Sequence, residues 1–166
     1  MALVVEDGTG LSNSESYISV TDATSYHAAR DNPDWLLITD KEAALRKATD
    51  YMIQVYRSLW QGYRSITAQA LDWPRQSVYN NEYPEEIAIA SNIVPVEIKN
   101  ACAELALKTY TDEVLLTDEE QKLTQETIGP ITVKYSDNST TSTKQYSSVS
   151  AILKPFLKTS GSQVIR

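Results

Sequence analysis

Hydrophobic residues along this chain keep more than one rhythm. From Ala44 to Leu59 the apolar positions Ala44, Leu45, Ala48, Tyr51, Met52, Val55, Tyr56 and Leu59 recur every three or four residues. That spacing lines one face of a helix. Lys41, Arg46, Lys47 and Asp50 fall mostly on the other face, and Thr39 followed by Glu42 predicts a capping box at the start. A second run, Pro95–Leu115, puts Val94, Ile98, Ala101, Cys102 and Leu105 together, with Ala101, Ala103 and Ala106 small enough for close helix packing. It opens on a proline, whose missing N–H is harmless at a first helical position. "SVTDATSYHAAR" predicts a shorter helix capped by Ser19, with Asp22 as its partner three residues on. Val149, Ile152, Leu153 and Phe156 fit a last short helical face, bent or stopped at Pro155.

Two places carry the two-residue rhythm of a strand. Ala2–Val5 reads as a short strand ended by the turn residues "EDGTG". Ile131, Val133 and Tyr135 alternate as a half-buried strand does, and nine of the fifteen residues between 136 and 150 are Ser or Thr. This predicts either a hairpin with a long mobile tip or a strand followed by a flexible loop. The fold class expected is mainly α: a small antiparallel helical bundle with a peripheral β-hairpin at about 128–147 and an extended C-terminal arm. One domain spans 1–157 and the arm 158–166, with no internal repeat and no second domain boundary.

"LDWPRQSVYNNEYP", Leu71 to Pro84, keeps neither rhythm. Pro74 forces Trp73 toward extended backbone, and "NNEYP" is turn chemistry. Exposing both Leu71 and Trp73 would forfeit a few kcal/mol of burial, at roughly 25 cal/mol per Å². An ordered irregular loop is therefore expected.

Charge sharpens the picture. The net charge is −7, but residues 1–129 hold ten Lys/Arg against twenty-one Asp/Glu. Beyond them Lys134, Lys144, Lys154, Lys158 and Arg166 face Asp137 alone. An acidic body does not draw nucleic acid by itself, so the basic end is the better candidate for an acidic partner. The aromatics are ten Tyr, three Trp and one Phe. Tyr suits half-buried rims and interfaces alike. "MALVVEDGTG" lacks the basic and apolar regions of a signal peptide, which predicts synthesis and assembly in a cytoplasm-like compartment.

Reactive groups are few. His27 is the single histidine and Cys102 the single cysteine. This rules out an internal disulfide and a His-based metal cluster within one chain. Cys102 shares a face with Ile98 and Leu105, which predicts a buried, inert thiol, and His27 reads as a surface or core-edge residue. "DGTG" lacks the third glycine and the Lys-Ser/Thr ending of a phosphate loop and reads as a turn. Asp118–Glu120 and Glu85–Glu86 read as solvated carboxylates. No basic stripe alternates with aromatics, and no helix-turn-helix or RNA-binding motif is present. No catalytic residue, cofactor or metal is expected, and the chain is not expected to be an enzyme.

Six segments occur in an order that resembles a known family: "EDGTG…NSESYISVTDATSYHAAR", "KEAALRKATDYM", "LDWPRQSVY", "VPVEIKNACAELAL", "IGPITVKYS" and "ILKPFL". Together they resemble the head–tail adaptor, or connector, proteins of tailed bacteriophages, sequences that often carry the label DnaT-like single-stranded-DNA-binding. The resemblance covers nearly the whole chain. It implies a structural virion protein of the neck, forming a homo-oligomeric ring, commonly a dodecamer. The ring would join the portal protein to the next neck or tail protein. Genomic double-stranded DNA would pass through its lumen without specific binding, and no membrane would be involved.

Under that resemblance Trp73, Pro74 and Arg75 would form a subunit interface, with Arg75 presented to a neighbour; the alternative is that Trp73 and Pro74 seal the chain's own core. Lys154, Phe156, Lys158, Gln163, Val164, Ile165 and Arg166 would be a portal-docking arm. Ser136, Asp137, Asn138, Ser139, Thr140 and Thr141 would be a tail-facing loop. The second reading takes the DnaT-like label at face value. It is a single-strand binder using Tyr and Trp as stacking platforms and the basic C-terminus for phosphates.

Overall fold

The computed structural model describes residues 2–80, 87–111, 115 and 146–158, together with the backbone of 125–128 and 131–134. Within them five helices carry the fold: α1 (Val20–Ala28), α2 (Asp34–Leu37), α3 (Lys41–Tyr56), α4 (Val96–Thr111) and α5 (Ser147–Leu153), the last running into a 3₁₀ turn at Lys154–Phe156. The mainly α expectation holds. Six short strands pair into three separate two-stranded antiparallel ribbons: β1 (Tyr63–Arg64) with β2 (Arg75–Gln76), β3 (Tyr79–Asn80) with β4 (Ile87–Ala88), and β5 (Gln125–Ile128) with β6 (Ile131–Lys134).

α3 and α4 form the centre, and α1 and α5 each pack on α4. Ala101, Ala103 and Ala106 are fully buried, so α4 meets its neighbours with little side-chain bulk between backbones. Leu45, Ala48, Met52, Ile98 and Leu105 fill the seam. Cys102 lies inside it, with its sulfur 3.5 Å from Thr49 Oγ1, and burial pushes the thiol's pKa up.

Helix starts follow local chemistry. Ser19 Oγ accepts from Asp22 N at 3.0 Å, as expected for α1. At α3 the cap is Asp40, whose Oδ1 accepts from Ala43 N at 2.9 Å, and not Thr39. Asp and Thr are both good caps, and the adjacent pair left the choice to the backbone. The N-terminal stretch forms one bridge, Val5 with Ser16, in place of a strand. Glu6 explains why: its buried carboxylate accepts from the N–H groups of Gly8, Gly10 and Leu11 and from the Ser14 hydroxyl. It holds "EDGTG" as a closed loop around one anion.

His27 is buried, not at the surface. Its ring stacks on Trp35 at 4.7 Å, and Nε2 lies 3.1 Å from the Ala103 carbonyl. With Nε2–H donating there, Nδ1 accepts from the Asn32 amide at 3.3 Å, a neutral imidazole with both nitrogens used. Burial lowers its pKa, which favours the same state.

The expected hairpin exists with a different partner. Ile131–Lys134 pairs with the preceding Gln125–Ile128, Ile128 opposite Ile131. The Ser/Thr-rich stretch therefore does not separate the two strands. Residues 136–141 of the expected tail-facing loop, and Gln163, Val164, Ile165 and Arg166 of the arm, lie outside the described residues.

Candidate functional site

The loop at Leu71–Arg75 is a buried plug. Leu71, Asp72, Trp73, Pro74 and Arg75 are all buried. Trp73 meets Trp60 edge-on at 5.8 Å and Phe156 edge-on at 5.7 Å, and Trp60 lies 5.7 Å from Tyr56. This aromatic chain joins the end of α3, the irregular loop and the C-terminal turn. Trp73 and Pro74 thus seal the chain's own core. The Arg75 guanidinium points inward, donating to the carbonyls of Gln61 (2.7 Å), Gly62 (2.8 Å) and Asp72 (3.1 Å). Burial depresses its pKa. Its donors are committed within its own chain, so it is not displayed to a neighbour.

Above the plug the chain leaves α3 through Ser58–Gly62. Trp60 bridges Leu157, Gln61 N donates to Phe156 O at 3.0 Å, and Lys158 N donates to Leu59 O at 2.8 Å. Residues almost a hundred positions apart are thereby laid side by side. The Gln61 side chain ties in a third segment. Its Nε2 donates to Pro155 O at 2.9 Å and its Oε1 accepts from Tyr79 N at 3.2 Å. Gly62 sits at φ 59°, where a Cβ would collide with the carbonyl of Gln76, so only glycine lets the chain turn into β1 so close to β2.

What this turn gathers is a mixture of cations and exposed rings. Arg57, Arg64, Lys154 and Lys158 are exposed. Tyr63 is 71% exposed and Tyr79 39%. Leu59 and Ile66 add exposed apolar surface. Segments 57–80 and 154–158 contain five Lys/Arg and a single acid, Asp72. That acid is buried beneath Arg57, with Oδ1 accepting from Arg57 Nε at 2.9 Å. Its backbone N–H donates to the Tyr17 hydroxyl at 3.0 Å, and burial drives the Tyr17 pKa up, so the phenol stays neutral. Arg64 donates to Gln69 O and Lys158 Nζ to Ser58 O, contacts that orient each head without neutralising it. These exposed cations and tyrosines lie on segments that meet at Gln61, on a chain of net charge −7.

Of the residues singled out in sequence, Lys154 and Lys158 belong to this surface. Phe156 does not, being buried against Trp73. All three tryptophans are buried, so stacking platforms come from tyrosine alone. Sequence reasoning passed over Arg57, Tyr63, Arg64 and Tyr79. The available signal was "GYR" beside a three-arginine, one-acid stretch in an otherwise acidic body. Among the described residues no group of three or more His, Cys, Asp and Glu is placed to hold a metal ion. No described helix is long and apolar enough to cross a membrane.

A family model described as "Putative DnaT-like ssDNA binding protein" matches residues 1–166. No curated protein and no solved structure matches. The family match overturns the partner expectations drawn from the adaptor resemblance. A family described by single-stranded DNA binding does not agree with a connector ring whose partners are copies of itself, a portal and a tail protein. Nor does it agree with DNA that slides past unheld.

Proposed function

Because this chain belongs to the DnaT-like single-stranded-DNA-binding family, we propose that it binds single-stranded DNA through the surface around Gln61, without catalysing a reaction. Tyr63 and Tyr79 stack on bases, and Arg57, Arg64, Lys154 and Lys158 meet the flanking phosphates. The observation that carries this reading is local: in an acidic chain, segments 57–80 and 154–158 expose two tyrosines and four cations, and their one acid, Asp72, is buried under an arginine. Base stacking on an aromatic ring is worth about 1–3 kcal/mol per base and tolerates any sequence. At 0.1 M salt charges are screened beyond about 10 Å, so a phosphate on this surface responds to the nearby cations more than to the distant acidic helices.

The test is fluorescence anisotropy of a labelled oligo-dT strand across a salt series. Three or four phosphate contacts predict a slope of log K against log salt of about −2 to −3. Affinity should then fall roughly 15- to 60-fold between 50 and 200 mM salt. A duplex of equal length should bind more weakly, because its bases are not free to stack. No binding at 50 mM salt, or equal binding of the duplex, would refute the reading.

A further inference from the structure

Beside the tyrosine–cation surface lies a cavity of about 350 Å³, between α1, α4 and the C-terminal turn. That is within the range of small-ligand pockets, about 300–1,000 Å³. Its walls include Tyr26, Arg30, Asn80, Glu97, Asn100 and Pro155. Asn80 adjoins Tyr79 and Pro155 adjoins Lys154 in the chain, so the cavity and the exposed tyrosine and cation share two segments. The Arg30 guanidinium lies over the Tyr26 ring at 3.6 Å and donates to Tyr26 O, which fixes a flat cationic plate in the wall. The Tyr26 hydroxyl donates to Glu104 at 3.0 Å. Burial, and then Glu104, hold that phenol neutral, with its pKa pushed up to about 12. Glu97 and Asn100, three residues apart on one face of α4, both line this cavity.

We propose that this cavity receives one unstacked base of the bound strand, and that guanine fits it best. The inference rests on the single-strand reading above. A carboxylate in the cavity repels a phosphate, which excludes the backbone and leaves the base edge as the group to be recognised. Guanine presents adjacent N1–H and N2–H donors, a pair that a carboxylate accepts in bidentate fashion. Thymine offers one imino N–H, and inosine lacks the exocyclic amino group. The Arg30 plate supplies a face on which a base can stack, as guanidinium planes do in single-strand recognition. The Asn100 amide can both donate and accept, and so can complement the remaining edge.

The experiment compares oligo-dT strands carrying one central guanine or one central inosine, by competition anisotropy against labelled oligo-dT. The guanine strand is expected to compete at least about 5-fold better than the inosine strand, in line with the one to three kcal/mol of a good bidentate base contact. Glu97→Gln should bring that ratio close to one, and Arg30→Ala should reduce it. Melting temperatures show that each variant is folded. Equal competition by the two strands in the unaltered protein would overturn the cavity inference while leaving the single-strand reading standing. So would a guanine preference that survives in folded Glu97→Gln. If no strand binds at all, the single-strand reading fails and the cavity inference falls with it.

Discussion

At the scale of single residues, exposure and commitment separate function from stability. Tyr63 is largely exposed on a two-residue strand and holds up nothing beneath it. Tyr63→Ala should therefore weaken oligo-dT binding by about 5-fold or more, from the loss of one stacking contact. The fold should stay within about 0.5 kcal/mol of its original stability. Anisotropy and thermal melting on the same sample check both halves. Arg75 is the opposite case. Three carbonyls of its own chain accept from it, so Arg75→Glu would place a carboxylate oxygen against carbonyl oxygens in a buried site. The expected cost is about 3 kcal/mol or more. That corresponds to a melting temperature lower by roughly 6–12 °C in a chain of this size. Sequence reasoning presented Arg75 to a neighbouring subunit. It saw a lone arginine beside a proline and could not see three carbonyls converging on it.

At the scale of elements, the longer helices were legible, while the one-turn α2 at Asp34–Leu37 and the joints between helices were not. The three-and-four rhythm from Ala44 to Tyr56 is one buried face of α3, and Val149, Leu153 and Phe156 do make the last buried stripe. These patterns are local, and helices are local structures. The β5–β6 pair was half legible: alternation marked one strand, but a partner of the form "QETI" alternates too weakly to be seen. The junction at Gln61 was invisible, because a single glutamine reaching Pro155, Leu157 and Tyr79 leaves no trace in sequence spacing. Gln61 carries no charge and is only half-buried. If it holds the surface together, Gln61→Ala should cost about 1–2 kcal/mol of stability, as expected for several hydrogen bonds lost at once. It should also reduce oligo-dT affinity several-fold. Unchanged affinity in the folded variant would show that the three segments keep their arrangement without it.

At the scale of the whole molecule, the proposed binding surface is an exception made within an acidic chain. The sequence shows no basic stripe interleaved with aromatics because the stripe is not contiguous. Arg57, Tyr63 and Arg64 come from one segment, Tyr79 from a second, and Lys154 and Lys158 from a third. The Trp60–Trp73–Phe156 aromatic chain and the Gln61 hydrogen bonds join these three segments. The irregular loop thus acts from beneath: its tryptophan closes the core and fixes the C-terminal turn that bears two of the cations. A net charge of −7 keeps general polyanion affinity low, so contact with DNA should be confined to the segments around Gln61. Photo-crosslinking tests that confinement most directly. A single strand substituted with bromodeoxyuridine is irradiated in complex with the intact protein, and the attached peptides are sequenced. Crosslinks at Tyr63 and Tyr79 are the predicted result; crosslinks absent from both and concentrated instead on α3 between Lys41 and Asp50 would contradict the account.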